Sequence, residues 1–120
     1  MRNKLCNLKE VFRVIYHFEN KVKTITGHSI NELLILCSLQ KSRINPGILA
    51  EEMGISAGRI SKILASLEKD KLITRELSME DKRQMFFTIT PEGIKKLQLF
   101  QNSDIEIPDV QVKSTGGNNE

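Results

Sequence analysis

The chain has 120 residues, with 18 Lys and Arg against 15 Asp and Glu, so its formal net charge is +3. This length suits a single domain, and a hydrophobic content of 39% is enough for one core without a disulfide framework. The sequence has no apolar run of about 18 residues that would predict a membrane span. Charges interrupt its first residues, unlike a secretory signal, so we expect a cytoplasmic protein.

Positive charge is concentrated in residues 1–101, which carry a net charge of +6, whereas residues 102–120 carry −3. A small basic body suits a polyanionic partner such as nucleic acid, although many soluble proteins are equally basic. We therefore expect one basic domain over residues 1–101, followed by an acidic C-terminal tail over residues 102–120.

The first half of the chain has the periodicity of helices. Apolar residues recur at three- and four-residue steps over residues 5–25, which predicts a long amphipathic helix that is a candidate dimer contact. Ser29 and Glu32 form a capping-box pattern before a nearly all-apolar helix over residues 30–41. That composition predicts the central buried helix of the fold and favours a buried, unreactive thiol at Cys37.

Residues 46–69 have the pattern of two helices joined by a short turn. Ala50 is small where the two helices approach each other, and Gly54 permits the positive φ that such a turn needs. These spacings indicate a helix-turn-helix, with a plain helical hairpin as the alternative. The apolar residues that point from the second helix back to the first are Ile60, Ile63, Leu64 and Leu67.

The opposite face of the second helix is small and positively charged, which suits insertion into the major groove of DNA. Arg59 can bind guanine O6 and N7 bidentately, and Lys62 can bind a base or a phosphate. The alternative for Lys62 and Lys69 is a solvated helix face. The DNA-binding residues predicted on this recognition helix are Ser56, Ala57, Gly58, Arg59, Ser61, Lys62 and Ser66.

Residues 72–90 contain two runs rich in β-branched and aromatic residues around a polar stretch, which predicts a β-hairpin with a charged tip. Such a wing beside a helix-turn-helix brings its tip to the DNA backbone, where Lys82 and Arg83 can bind and Arg83 can enter the minor groove. Asp81 is repelled by DNA, so we expect it to orient the tip, with Arg75 as its candidate partner. A solvated turn without function is the alternative.

The wing region resembles the signature of the MarR family of bacterial transcription regulators in three separated pieces, Leu72-Ile73-x-Arg75, Asp81-Lys82-Arg83 and Thr90-Pro91-Glu92-Gly93. Ile89 stands where the family usually has Leu. The resemblance extends from about Leu5 to Leu99. It implies a mainly α fold with a small β-hairpin, a winged helix-turn-helix with five main helices and a two- to three-stranded wing.

The resemblance also implies a homodimer on a palindromic operator, with the helix after Ser56 in the major groove and Arg83 in the minor groove. The long last helix usual in the family is not evident after Gln101, so the dimer is expected to rest on the first helix, the helix after Pro91 or an extended tail. Many relatives release DNA when a small molecule binds, which implies an effector whose identity the sequence does not give.

The predicted function is therefore a sequence-specific regulator of transcription that binds double-stranded DNA. The alternative is a winged-helix module that binds proteins and not DNA, because this fold serves both purposes. Hydrolase, metalloprotease and phosphate-loop motifs are absent from the sequence, so we expect no enzyme and no cofactor. His17 and His28 lack metal-ligand spacing, and a redox switch at Cys6 and Cys37 would require exposed, low-pKa thiols.

Overall fold

A computed structural model describes residues 3–80 and 84–108. These residues form five α-helices and one antiparallel β-hairpin, which confirms the predicted mainly helical architecture. None of the helices in these two ranges is long and apolar enough to cross a membrane. In chain order the elements are α1 (Lys4–Thr26), α2 (Ile30–Lys41), α3 (Pro46–Met53), α4 (Ala57–Lys69), β1 (Ile73–Leu77), β2 (Met85–Ile89) and α5 (Pro91–Gln101).

Helices α2 to α5 begin at residues whose side chains satisfy backbone N–H groups that have no partner within the helix. Each capping oxygen accepts a hydrogen bond from the N–H three residues later, and at α2 the Glu32 carboxylate also accepts from the N–H of Ser29, which completes the predicted capping box. The four capping residues are Ser29, Asn45, Ser56 and Thr90.

The turn between α3 and α4 depends on a glycine, as the sequence predicts. Gly54 has φ of 66° and ψ of 30°, in the left-handed backbone region that residues with a Cβ rarely adopt. Its N–H donates to the carbonyl of Ala50, and this bond ends α3 before Ser56 begins α4. The two helices therefore meet through a short turn of fixed geometry.

One hydrophobic core lies beneath the helix-turn-helix and the hairpin. Helix α2 supplies a third of its buried apolar side chains, which agrees with its predicted central position. Burial of each such side chain contributes about 1.5–3 kcal/mol. The buried apolar residues of the described chain are Val22, Leu33, Ile35, Leu36, Leu39, Leu49, Ile60, Leu64, Leu67, Leu72, Ile73 and Phe87.

Helix α2 is nevertheless not buried on every side, and the prediction of a buried thiol at Cys37 is wrong. Cys37 is exposed, and Leu34, one turn earlier on the same face, is 49% exposed. This face points to a groove that α1 and α5 flank without closing. Part of the apolar surface of α2 therefore reaches the surface of the single subunit.

The hairpin has the register Ile73 opposite Ile89 through Leu77 opposite Met85. A third strand is reduced to one residue, Ile44, which forms an isolated antiparallel bridge with Phe87 through two backbone hydrogen bonds of 3.2 and 3.4 Å. The predicted two- to three-stranded wing is thus a two-stranded ribbon with a single-residue bridge.

The N-terminal half of α1 is not covered by the rest of the subunit. Only Val22 and Thr26 of this 23-residue helix are buried, both near its C-terminal end. The predicted apolar stripe is present, but Leu5, Leu8 and Phe12 are 71%, 46% and 46% exposed.

Two predicted features fall partly or wholly outside the described residues. The wing tip, Asp81, Lys82 and Arg83, is one of them. The acidic tail is described only as far as residue 108, and Ile105 packs against the core. The predicted boundary at residue 101 remains a prediction.

Candidate nucleic-acid interface

Helix α4 has one buried face and one exposed face, divided as its sequence predicts. Ile60, Leu64 and Leu67 are at most 2% exposed and attach the helix to the core. All seven residues predicted to contact DNA are exposed on this helix and its cap: Ser56, Ala57, Gly58, Arg59, Ser61, Lys62 and Ser66.

The exposed face of α4 is electrostatically suited to an anion. It carries Arg59, Lys62 and Lys69, and the helix N-terminus adds the partial positive charge of its dipole. Glu68 is the one acidic residue in the sequence of α4. Its carboxylate accepts a hydrogen bond of 2.9 Å from Arg75 Nη2 on the hairpin, so its charge is balanced within the protein.

Gly58 is not required by the packing of the protein itself. A Cβ at this position would meet no atom within 4 Å, and its φ is not in the left-handed region. Gly58 is the second residue of α4, where glycine costs the helix at most what it costs in a helix interior, about 1 kcal/mol relative to alanine. The space in front of Gly58, together with Ser56 and Ala57, leaves the first turn of α4 open to close approach by a partner.

The hairpin is attached directly to the end of α4. The N–H of Leu72 donates to the carbonyl of Leu67 at 3.0 Å, and Lys71 between them adopts a left-handed φ of 63°. The Arg75 guanidinium lies 5.6 Å from the ring centroid of Phe87 while it pairs with Glu68. Strand β1 and α4 are therefore connected through side chains as well as through the backbone.

Arg75 pairs with Glu68, a partner that the sequence pattern does not single out, whereas the sequence predicts Asp81 as its partner. Asp81 lies outside the described residues, so that pairing remains a prediction. The last backbone bond of the described hairpin runs from Ser78 N–H to the carbonyl of Gln84 at 3.0 Å, on either side of the predicted tip. The short separation of Glu68 and Arg75 across a tight turn is the signal that favours their contact.

A separate apolar cavity of about 370 Å³ lies between α1, α2 and α5. Phe18, Leu33 and Phe100 are among the apolar residues that line it, and Cys37 and Gln40 are among its few polar ones. Ile107 also lines it and is 75% exposed. This cavity is on a different part of the subunit from the exposed face of α4.

Comparisons with known proteins agree with this geometry. A sequence model of the MarR family matches residues 25–84, half of the chain. The HTH-type transcriptional repressor YetL of Bacillus subtilis (strain 168) is 25% identical over 101 residues, covering 76% of this chain and 60% of YetL. The chain thus spans about 60% of the length of this curated relative.

Two solved structures illustrate the shared fold. The YusO protein of Bacillus subtilis is 23% identical with a TM-score of 0.67, covering 81% of this chain and 70% of YusO. The complex of S. aureus MepR with DNA is 18% identical with a TM-score of 0.73, covering 84% of this chain and 76% of MepR. These likenesses confirm the predicted winged-helix fold.

Proposed function

The chain belongs to the MarR family, and from that premise we propose that it is a transcription regulator that binds specific sequences of double-stranded DNA. The observation that supports this most directly is the exposed face of α4, which is small and cationic. Its one acidic residue, Glu68, is paired with Arg75. Such a face attracts phosphate and admits close contact with the floor of the major groove.

In this proposal, α4 lies in the major groove with its N-terminal turn closest to the bases. Arg59 binds guanine O6 and N7, and Lys62 binds a base or a neighbouring phosphate. The hairpin then extends along the DNA backbone, where Lys82 contacts phosphate and Arg83 enters the minor groove. Arg75 orients the hairpin through Glu68, and Asp81 orients the tip.

The proposal includes a homodimer on a palindromic operator. The exposed apolar stripe of α1, with Leu5, Leu8, Phe12 and Ile15 between 40% and 71% exposed, is the surface that supports dimerisation. A second copy would bury this stripe against an equivalent one. Two recognition helices in a dimer then bind half-sites about one helical turn, roughly 34 Å, apart.

The proposal also includes a small effector of largely apolar character. The cavity between α1, α2 and α5 supports it, because its wall is almost entirely hydrocarbon and Gln40 and Gln101 are among the few polar residues that line it. The ligand would contact α1, the helix proposed for dimerisation, and α5, which follows the hairpin. Its binding therefore has a route to change the separation of the two recognition helices.

The decisive experiment is selection of bound DNA from a random pool, followed by a salt titration on the selected sequence. We expect enriched inverted half-sites. The logarithm of the binding constant should fall with the logarithm of the salt concentration, with a slope of about −0.9 for each phosphate neutralised. Arg83→Ala should weaken binding and leave the fold intact. Failure to enrich any sequence, together with a protein partner bound independently of salt, would favour the winged-helix protein-interaction module instead.

A further inference from the structure

On each face of the hairpin, an arginine lies over a phenylalanine ring of β2 and pairs with a glutamate; Arg75 belongs to the hairpin and Arg43 to the loop between α2 and α3. Arg75 and Phe87 face each other across the two strands, as do Glu76 and Phe86 one residue further along. Because side chains alternate along a strand, these two cross-strand pairs lie on opposite faces. We call Arg75, Phe87 and Glu68 the inner clamp, and Arg43, Phe86 and Glu76 the outer clamp.

The outer clamp joins the loop between α2 and α3 to the hairpin. Arg43 Nη1 donates to Glu76 Oε1 at 3.0 Å, and its guanidinium carbon lies 4.6 Å from the centroid of the Phe86 ring. Residues 43 and 76 are distant in sequence, so this contact depends on the tertiary fold. The backbone next to Arg43 is fixed, because Ile44 forms the two-hydrogen-bond bridge with Phe87.

We propose that Arg43 is a positioning residue that sets the angle of the hairpin relative to α4. The inner clamp holds one face of the hairpin to α4 through Glu68, and the outer clamp holds the other face to the loop that precedes α3. Contacts on both faces oppose rotation of the ribbon in either direction. This inference rests on the proposed function, since the orientation of the hairpin matters if the wing contacts DNA beside α4.

The chemistry of the outer clamp favours orientation over overall stability. Arg43 and Glu76 are 54% and 43% exposed in their side chains, and exposed ion pairs add little to the stability of a fold. A planar guanidinium can stack on an aromatic ring and bind a carboxylate together, which a lysine ammonium does not reproduce. The contacts with Glu76 and Phe86 therefore hold the Arg43 side chain in one direction but contribute little to the stability of the fold.

A direct contact between Arg43 and a DNA phosphate is the competing role for an exposed cation near this interface. The two roles differ in salt dependence. The slope in question is that of the logarithm of the binding constant against the logarithm of the salt concentration. Loss of a phosphate contact reduces the magnitude of this salt slope by about one, whereas loss of a positioning residue weakens binding and leaves the slope unchanged.

The test uses Arg43→Ala, the exchange Arg43→Glu with Glu76→Arg, and Lys41→Ala as the control. Lys41 is exposed two residues before Arg43, and its substitution removes the same charge. In the exchanged protein, the arginine at position 76 is directly opposite Phe86 and can stack on the same ring. The first measurement is hydrogen exchange of the hairpin amides at residues 73–77 and 85–89 in the free, full-length protein.

We expect Arg43→Ala to speed exchange of the hairpin amides by about fivefold, without a matching change in the helices. It should also weaken binding of the selected DNA by about fivefold at an unchanged salt slope. The double variant Arg43→Glu with Glu76→Arg should restore both the hydrogen-exchange rate of the hairpin amides and the DNA affinity. Lys41→Ala should leave the hairpin amides as in the wild type.

Three results would overturn the assignment. If the hairpin amides of Arg43→Ala exchange hydrogen as fast as those of the wild type, the outer clamp does not hold the hairpin, whether or not the protein binds DNA. A salt slope lowered by about one unit in Arg43→Ala would make Arg43 a phosphate contact. If the double variant Arg43→Glu with Glu76→Arg binds DNA as weakly as Arg43→Ala, Arg43 does not act through its pairing with Glu76. Absence of any DNA binding by the wild type would instead refute the proposed function. The hydrogen-exchange measurement on the free protein would still test whether the outer clamp holds the hairpin.

Discussion

Gly93 lies directly against the backbone carbonyl of Leu72, so close that a Cβ at position 93 would collide with that oxygen. The same Cβ would come within 2.6 Å of Ile89 Cγ1. The Leu72 carbonyl also accepts the N–H of Thr90 at 3.0 Å, so it cannot easily move away. The first turn of α5 is thereby packed against the base of the hairpin, which gives a physical reason for glycine in the Thr-Pro-Glu-Gly sequence.

We predict that Gly93→Ala destabilises the protein by about 1–3 kcal/mol, the usual cost of forcing an extra carbon into a packed site. Urea unfolding at equilibrium measures this change. The matched control is Gly58→Ala, where the added methyl meets open space in the first turn of α4 and should not destabilise the fold, with a gain of at most about 1 kcal/mol. Equal stabilities for Gly93→Ala and the wild type would contradict the packing described here.

We predict that Gly58→Met leaves the protein folded but weakens DNA binding by at least about tenfold, since a long side chain would hold the first turn of α4 away from the groove. Fluorescence anisotropy on the selected DNA measures the affinity, and thermal unfolding reports the fold. Gln98→Met, at an exposed position of α5, is the control and should bind DNA as the wild type does. Unchanged affinity in Gly58→Met would remove the first turn of α4 from the proposed interface.

A buried polar cluster at the junction of α1 and α2 makes the stability of the fold depend on pH. His28 is only 7% exposed, and its Nδ1 lies 3.3 Å from Glu32 Oε2. Burial alone raises the pKa of the Glu32 carboxyl, but hydrogen bonds from the backbone N–H and hydroxyl of Ser29 and from His28, with the charge of that imidazole, outweigh it. The pKa of Glu32 in the folded protein is therefore below its ordinary value.

Because the folded-state pKa is the lower one, ionised Glu32 stabilises the protein above the ordinary carboxyl pKa of about 4.3. That stabilisation is lost as the pH falls through the lowered folded-state pKa. We predict that Glu32→Gln is less stable than the wild type at about pH 6 and that the difference shrinks toward about pH 3. Glu52→Gln, which removes an exposed carboxylate, is the control, and a difference independent of pH would contradict the prediction.

Much of the fold was predictable because its signals are local. The caps at Asn45, Ser56 and Thr90 define helix starts through contacts three residues away, and Gly54 marks a turn through its own φ. The division of α4 into buried and exposed faces follows from its periodicity alone. Local rules are sufficient wherever the contacts that decide a structure lie within one or two turns.

The features that sequence reasoning missed depend on distant contacts or on surfaces left uncovered. Arg43 meets Glu76 only because the Ile44–Phe87 bridge brings the loop to the hairpin, and no periodicity connects residues so far apart. Cys37 was expected to be buried because an apolar helix is usually covered on all sides, yet α1 and α5 leave its face open. Composition reports that a face is apolar and does not report what covers it.

The uncovered stripe of α1 gives the last prediction, that Phe12→Glu separates the proposed dimer into folded monomers. Phe12 is 46% exposed and stacks on Tyr16 with ring centroids 5.9 Å apart, outside the core of the subunit. In a symmetric dimer the change acts twice, so the dissociation constant should rise by about a hundredfold or more. Sedimentation equilibrium measures it, with circular dichroism to verify the helices. His17→Glu, about 140° around the helix from Phe12, should leave the dimer intact. A Phe12→Glu protein that sediments like the wild type would place the dimer contact elsewhere.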